Sequence, residues 1–380
     1  MKLVTYTSYR ISGRDNWHRI QNNDTRLTKL TIQLDRNRPA ANDLITDDAE
    51  IEELGRDIGN NTHLRTLMIE FHNHTEDSIA EAGRKCRLLC EGINNNRSIE
   101  RIHFNQPYQV GGEMLQFLSP FFTNNNNLQE IRMQNVLINR EEMRSLTTAL
   151  TSREHPLRLL YLWETGIDDD SLIEEFVNPF RENARLIPRK LDLWSDNTGR
   201  NGCESIAALL QNPACAMEEL SLRGNQNINN DSPTIFADAL VTNRSLKSID
   251  LLGPSGTHID YSPFLQVVFN NTTINDTYFM SNHTLATIEP DNHLPADLQQ
   301  YLQLNMHPDK RYVARRKVLT NHFSGNINMK PFEEMAPELL MRAINFLDTC
   351  DQESREKYAA ARCSIIFQLI KSDPMMICKD

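Results

Sequence analysis

The sequence predicts an α/β solenoid, in which a curved parallel sheet lies inside and helices lie outside. Apolar residues recur at positions 0, +3 and +5 of a unit that is repeated along about two thirds of the 380 residues. Each set is followed by apolar residues at helical spacing. A unit of one strand and one helix cannot bury its apolar face alone, so successive units must stack into an array.

The unit is clearest between Met217 and Asn243. Met217, Leu220 and Leu222 supply the three apolar positions, and Asn225 stands at +8. An amphipathic stretch then places apolar residues on one helical face. The unit therefore predicts a strand, a turn, a helix and a segment that returns to the next strand.

The first apolar position recurs with a nearly constant period. It falls at Leu27, Leu64, Ile99, Leu128, Leu157, Pro188, Met217, Leu246 and Ile274. The intervals are 37, 35, 29, 29, 31, 29, 29 and 28 residues. The ninth copy is the weakest, because its +3 and +5 positions are Thr277 and Phe279. Asparagine precedes most of these positions, and it tolerates left-handed backbone and caps helix ends.

Three segments follow from the repeat boundaries. Residues 1–25 are polar with scattered aromatic side chains, and we expect them to form an irregular N-terminal cover on the first unit. Residues 26–290 hold about nine strand–helix units. Residues 291–380 lose the period and look helical, so they are either a C-terminal cap or a small helical domain; we favour the cap.

Charge and cysteine content limit the partner and the compartment. The net charge is −11, which argues against nucleic acid, because phosphate binding needs a basic surface. The seven cysteines are odd in number and form no C-x-x-C pair, which favours a reducing, intracellular location in the cytoplasm. No secretory signal and no membrane-spanning run is visible, so no membrane association is expected.

Motifs of catalysis and cofactor binding were sought along the chain. It contains no P-loop, no H-E-x-x-H, no G-x-S-x-G and no zinc-finger spacing. Acidic pairs fall on helix faces and first turns, where solvation and the helix dipole explain them. We therefore expect a protein that is not an enzyme, with no metal and no cofactor.

The spacing L-x-x-L-x-L, with a return of 28–29 residues that includes a helix, resembles the leucine-rich repeat. The unit length is similar to the ribonuclease-inhibitor-like class, over residues 26–290. Residues 298–323 are also similar to the tails of such repeat proteins from diatoms and related algae. The chain departs from the class at +8, where only Asn225 matches its Asn or Cys. The resemblance implies a partner-binding concave sheet face.

The residues on that face are those at +2, +4 and +6, since side chains alternate along a strand. They place an aromatic and apolar patch on two adjacent strands, with cationic side chains at its border. The patch is Leu159, Tyr161, Trp163 and Trp194, and the border is Arg132, His103 and Arg223. Exposed aromatic rings beside arginine are typical of interface hot spots. The alternative is that these rings only pack on each other or under a loop.

The leading hypothesis is an intracellular scaffold that binds a protein partner on the concave face. A second hypothesis is a substrate receptor of a ubiquitin ligase, because residues 333–348 faintly resemble an F-box helix. A third is a regulator of another enzyme, of the inhibitor or GTPase-activating type. The sequence leaves the partner's identity and the oligomeric state open.

Overall fold

The computed structural model describes residues 14–35, 47–72, 76–105, 114–167, 170–194, 197–253, 259–274, 276–290 and 294–322. The chain divides into two compact units. The first comprises residues 1–261 and 287–293, and the second comprises residues 262–286 and 294–380. Residues 1–13 of the predicted cover, and residues 323–380 with the F-box-like segment 333–348, lie outside the described residues.

The first unit contains a nine-stranded parallel sheet whose strands are hydrogen-bonded in chain order. The strands are β1 (Lys29–Asp35), β2 (Thr66–His72), β3 (Arg101–Asn105), β4 (Glu130–Gln134), β5 (Leu159–Trp163), β6 (Lys190–Trp194), β7 (Glu219–Ser221), β8 (Ser248–Asp250) and β9 (Thr287–Glu289). This alternation of strand and helix confirms the α/β, repeat-based architecture that the period predicts.

Helices connect the strands and form a second layer. They are α1 (Arg14–Gln21), α2 (Asp48–Asn60), α3 (Glu76–Ile93), α4 (Met114–Asn124), α5 (Arg140–Thr151), α6 (Asp170–Val177), α7 (Arg200–Leu210) and α8 (Asp231–Leu240). From α2 to α8, each helix packs on the next one along the chain. The predicted irregular cover is wrong for residues 14–21: they form α1, which contacts α2 and whose Trp17 Nε1 donates to Asp57 Oδ2 at 2.6 Å.

The core of the first unit lies between the sheet and this helical layer. The predicted 0, +3 and +5 side chains of the first eight units are buried, as in Leu220 and Leu222, which are 1% and 0% exposed. The parallel register explains this burial, because it aligns like positions, for example Leu220 with Ile249. The inward orientation of the anchors is therefore confirmed.

The ninth strand is not where the sequence places it. Residues 276–280 form a π-helical turn in the second unit, and Phe279 is 64% exposed. The strand lies at Thr287–Glu289, where Ile288 pairs with Ile249 of β8. Leu285 and Ile288, both buried, supply the 0 and +3 positions of the ninth unit.

Before several strands, an asparagine bridges two units through its side chain. Asn96 illustrates the contact: its Oδ1 accepts hydrogen bonds from the Ser98 and Ile99 amides, each at 2.8 Å. Its Nδ2 donates to the carbonyls of Ile58 and Asn61 in the preceding unit. Buried asparagines occupy the same position, three residues before the first anchor, at Asn61, Asn125, Asn243 and Asn282. Left-handed backbone, the property that the sequence suggested, is seen at Asn23 but is not the shared role.

The unit of β5 has no such asparagine, since Glu154 stands there. The neighbouring Arg153, only 5% exposed, takes over the contact. Its guanidinium donates to the carbonyls of Phe122, Asn125 at 3.2 Å and Leu128 at 2.8 Å. A buried cation thus satisfies the carbonyls that asparagine satisfies elsewhere.

Asn225, the one residue that fits the +8 pattern, is fully buried. Its Nδ2 donates to the carbonyls of Leu193 and Leu222, and its Oδ1 accepts from the Thr198 amide. It therefore ties the turn after β7 to the turn after β6, the role that the resemblance implies for this position.

The described part of the second unit includes α9 (Pro263–Val268), α10 (Ala296–Asn305) and α11 (Lys310–His322). Lys317 of α11 is fully buried and donates to the carbonyls of Val268 and Asn282. This lysine is therefore a structural element of the second unit. Whether residues 291–380 act as a cap stays a prediction.

Candidate functional site

The register of the sheet brings the predicted site residues into two rows on the face opposite the helices. The +4 positions align across β3 to β8, and we name this set the central row: His103, Arg132, Tyr161, Asp192, Ser221 and Asp250. The +6 positions align Gln134, Trp163 and Trp194. The two-residue alternation of strands therefore predicted the placement of these side chains.

Trp163 and Trp194, here called the indole pair, stack on each other. Their ring centroids are 5.0 Å apart and their planes differ by 16°. Tyr161 meets Trp163 edge-on, with centroids 6.5 Å apart. All three rings are half-buried, and a stacked pair contributes about 0.5–1.5 kcal/mol beyond its buried area. The rings do pack on each other, and they keep accessible surface in doing so.

Two arginines lie over the rings rather than only at the border. The Arg132 guanidinium is 5.7 Å from the centroid of Tyr161, and that of Arg223 is 5.4 Å from the centroid of Trp194. Both distances allow a cation–π contact, worth about 0.5–1 kcal/mol at an exposed site. The arginines therefore help to hold the rings in place.

Leu159 does not form part of an exposed patch, and this part of the prediction is wrong. It is 5% exposed. Its neighbours in the sheet, Glu130 and Lys190, carry long side chains held in ion pairs with Arg158 and Glu219. Leu159 lies between these two residues in the sheet and is part of the lining of a cleft.

This cleft has a volume of about 510 Å³ and lies beside the indole pair. Ten side chains line it: Glu130, Arg132, Arg158, Leu159, Tyr161, Arg189, Lys190, Asp192, Glu218 and Glu219. Sequence reasoning named three of them as site residues. It missed the charged walls, because several of their residues precede the strands and the alternation rule does not place them.

Ion pairs connect most of the charged walls. Glu130 accepts from Arg158 and lies 3.6 Å from Arg132. Glu218 lies 2.5 Å from both Arg189 and Lys247. The hydrogen bonds from Lys247 and Arg189 hold the pKa of Glu218 below its usual value.

Asp192 differs from the other carboxylates of the cleft. Its Oδ1 is inaccessible to water and has no hydrogen-bond partner. Burial raises the pKa of Asp192 to about 6, and the charge of Asp250 adds to this rise. The hydrogen bond from Ser221 and the charges of Lys190 and Arg132 lower the pKa without offsetting the burial.

His103, predicted at the border of the patch, is half-buried and uncharged at neutral pH. Burial, followed by the charges of Arg132, Lys29 and Arg101, lowers the pKa of His103 to about 4. Its Nε2 is also buried without a partner. The central row therefore runs from basic surroundings at β3 and β4 to acidic residues at β6 and β8.

In three units the residue at position +7 has left-handed backbone, which sequence reasoning did not consider. The φ angles are 55° at Asn135, 51° at Glu164 and 75° at Gly224, all at position +7. Asn and Gly adopt this conformation readily, so two of the three carry a readable signal. The Glu164 amide donates to the Trp194 carbonyl at 3.1 Å, which links the turns that hold the indole pair.

Within the described residues, no group of three or more His, Cys, Asp or Glu side chains is placed to hold a metal ion. No helix in that part of the chain has the length and apolar character needed to cross a bilayer. No protein-family model matches the chain, and no curated protein matches it.

Proposed function

We propose that this chain is a leucine-rich repeat protein of the ribonuclease-inhibitor-like class that binds a protein partner on the open face of its sheet. It acts as a non-enzymatic interaction scaffold in a reducing, intracellular compartment. Support for the class comes from the buried L-x-x-L-x-L anchors and the Asn225 contacts between turns. The four described cysteines are free, in keeping with that compartment.

The observation that carries the binding role is the indole pair. Its rings are stacked and flanked by Tyr161 and Arg223 before any partner is bound. Binding to a surface that is already ordered loses little side-chain entropy. Tryptophan, tyrosine and arginine are also the residues that contribute most at protein interfaces.

The test uses the full chain with both indoles removed, Trp163→Ala/Trp194→Ala. Partners recovered from the source cells are identified by mass spectrometry, and binding is then measured with the purified partner. We expect the affinity to fall about 30-fold or more, since hot-spot truncations cost roughly 2 kcal/mol or more. Val241→Ala, at an exposed site after α8, is the control and should bind normally. Unchanged affinity of the double variant would reject the surface.

Fluorescence gives a second readout of the same surface. The chain has three tryptophans, so Trp17→Phe leaves the indole pair as the only indole emitters. We expect acrylamide to quench this variant when it is free and to quench it much less in the complex. Equal quenching in both states would place the partner elsewhere.

A further inference from the structure

The cleft beside the indole pair has one carboxylate that forms no ion pair within the described residues. Its lining includes four cations and four carboxylates. Glu130 pairs with Arg132 and Arg158, Glu218 pairs with Arg189, and Glu219 pairs with Lys190 at 2.7 Å. Among the described residues, no cation lies within ion-pair distance of the fourth carboxylate, Asp192.

The nearest cations are held in other directions. Lys190, two residues before Asp192 on the same strand, extends to Glu219 of β7. Arg132 lies over the Tyr161 ring and against Glu130. The Asp192 Oδ1 is buried and accepts no hydrogen bond from the described residues. Since buried polar atoms are normally hydrogen-bonded, a donor is missing at this atom.

The acidic character continues along the central row beyond Asp192. Asp250 lies two strands away, and its register partner on β9 is Glu289. With strands about 4.8 Å apart, the three carboxylates extend over about 14 Å. Neither Asp250 nor Glu289 forms an ion pair within the described part of the chain.

We propose that the partner docks through a basic segment, with one lysine or arginine head at the Asp192 carboxylate in the cleft and further basic residues over Asp250 and Glu289. The aliphatic stem of the first residue lies along Leu159 and Tyr161, which form the apolar part of the cleft. This inference rests on the proposed function, because it assigns the partner chemistry of the same surface. An acidic segment would find each lining cation already paired with a carboxylate.

Two further features favour a basic protein segment. The net charge of −11 attracts cationic partners at long range and speeds their encounter. About 14 Å corresponds to roughly four extended residues, so that a short peptide stretch reaches from Asp192 to Glu289. The indole pair adjoins the cleft and offers an apolar neighbour for the rest of the segment.

The test measures binding of fluorescein-labelled peptides to the full chain by anisotropy in about 50 mM salt. The probe alternates arginine and glycine over eight residues, and a second peptide carries glutamate in place of arginine. Asp192→Asn should weaken binding of the arginine peptide about ten- to hundredfold, because a hydrogen bond to a charged group is lost. Glu204→Gln is the control: it removes the same charge at a carboxylate of α7 that pairs with Arg200 and does not line the cleft, and it should change binding less than threefold.

Equal weakening by Asp192→Asn and Glu204→Gln would show a general charge effect and overturn the inference. So would tighter binding of the glutamate peptide, or no binding of the arginine peptide at 1 mM. The purified partner separates the two proposals. If Asp192→Asn binds it normally while Trp163→Ala/Trp194→Ala does not, the basic segment is wrong and the surface stands. If the double variant binds it normally, the surface itself is wrong.

Discussion

Arg153 offers the sharpest test of how the repeats are joined. Its buried guanidinium replaces the asparagine bridge before β5 and donates to the carbonyls of Phe122, Asn125 and Leu128. Arg153→Ala removes these three hydrogen bonds together with the one from Nε to the His155 carbonyl at 3.2 Å. The Asn125 carbonyl keeps the hydrogen bond from the Leu128 amide at 3.1 Å, so the other two carbonyls bear most of the loss.

The size of the effect follows from opposing contributions. Each buried carbonyl left without a donor costs about 1–3 kcal/mol, and the lost packing of the arginine stem adds about 1–2 kcal/mol. In the other direction, burial lowers the pKa of Arg153 from 12.5 to about 10. At 1.36 kcal/mol per pKa unit, alanine relieves a desolvation penalty of about 3 kcal/mol. We therefore expect Arg153→Ala to lower the free energy of unfolding by about 3 kcal/mol.

Urea unfolding followed by circular dichroism measures the loss, and hydrogen exchange locates it, because stacked repeats open locally. Exchange should accelerate in residues 122–130. Arg153→Ala/Glu154→Asn restores an asparagine at the position that Asn96 occupies in its unit, and should recover about half of the loss. Arg97→Ala is the control, since the exposed Arg97 also donates to two carbonyls. A loss below about 1 kcal/mol, or no recovery in the double variant, would refute the reasoning.

Two other predictions concern helix packing and pH. Gly92→Ala places a Cβ 2.3 Å from the backbone of Gly55 in α2. We expect this substitution to destabilise the protein by about 3 kcal/mol in thermal unfolding. The control is Glu91→Ala at an exposed position, which should change stability by less than about 0.5 kcal/mol. In the folded state the pKa of Asp192 is about 6, above the ordinary value of 3.8. Between pH 3.8 and pH 6 the unfolded state therefore binds fewer protons than the folded state. The free energy of unfolding falls as the pH rises from about 4 to 6. Asp192→Asn should therefore raise the urea midpoint at pH 7.5 and leave it unchanged at pH 4. A lower midpoint at pH 7.5 would contradict the burial argument.

The first eight strands could be predicted because the pattern that marks each strand lies within a few consecutive residues. An apolar residue at 0, +3 and +5 is enough to bury one face of a strand, and helical spacing marks the return. The ninth strand was missed because Asn271 stands three residues before Ile274 just as Asn282 stands three residues before Leu285. Only the pairing of Ile288 with Ile249 decides between them, and that contact joins residues far apart in the chain.

The surface was predictable only as far as alternation along a strand determines it. The rule placed Trp163 beside Trp194 correctly, since both stand at +6 of adjacent strands. It also placed Leu159 on the open face, but this side chain is only 5% exposed and lies between Glu130 and Lys190 of the neighbouring strands, whose side chains form ion pairs. Those pairs depend on the rotamers of long side chains, which no local pattern specifies.

Arg153 and Asp192 are two charged side chains of the first unit that differ in how the chain satisfies them. Arg153 is surrounded by carbonyls of the chain, which accept from both of its terminal nitrogens. Asp192 keeps a buried oxygen without a donor although Lys190 stands two residues away, and the chain bears the cost. A buried charge whose hydrogen-bond partners are supplied by the chain does not imply a binding partner. An unsatisfied one, in a cleft beside stacked indoles, is the kind of local cost that proteins retain at functional sites. The two substitutions should thus act in opposite directions on stability, and only Asp192→Asn should act on binding.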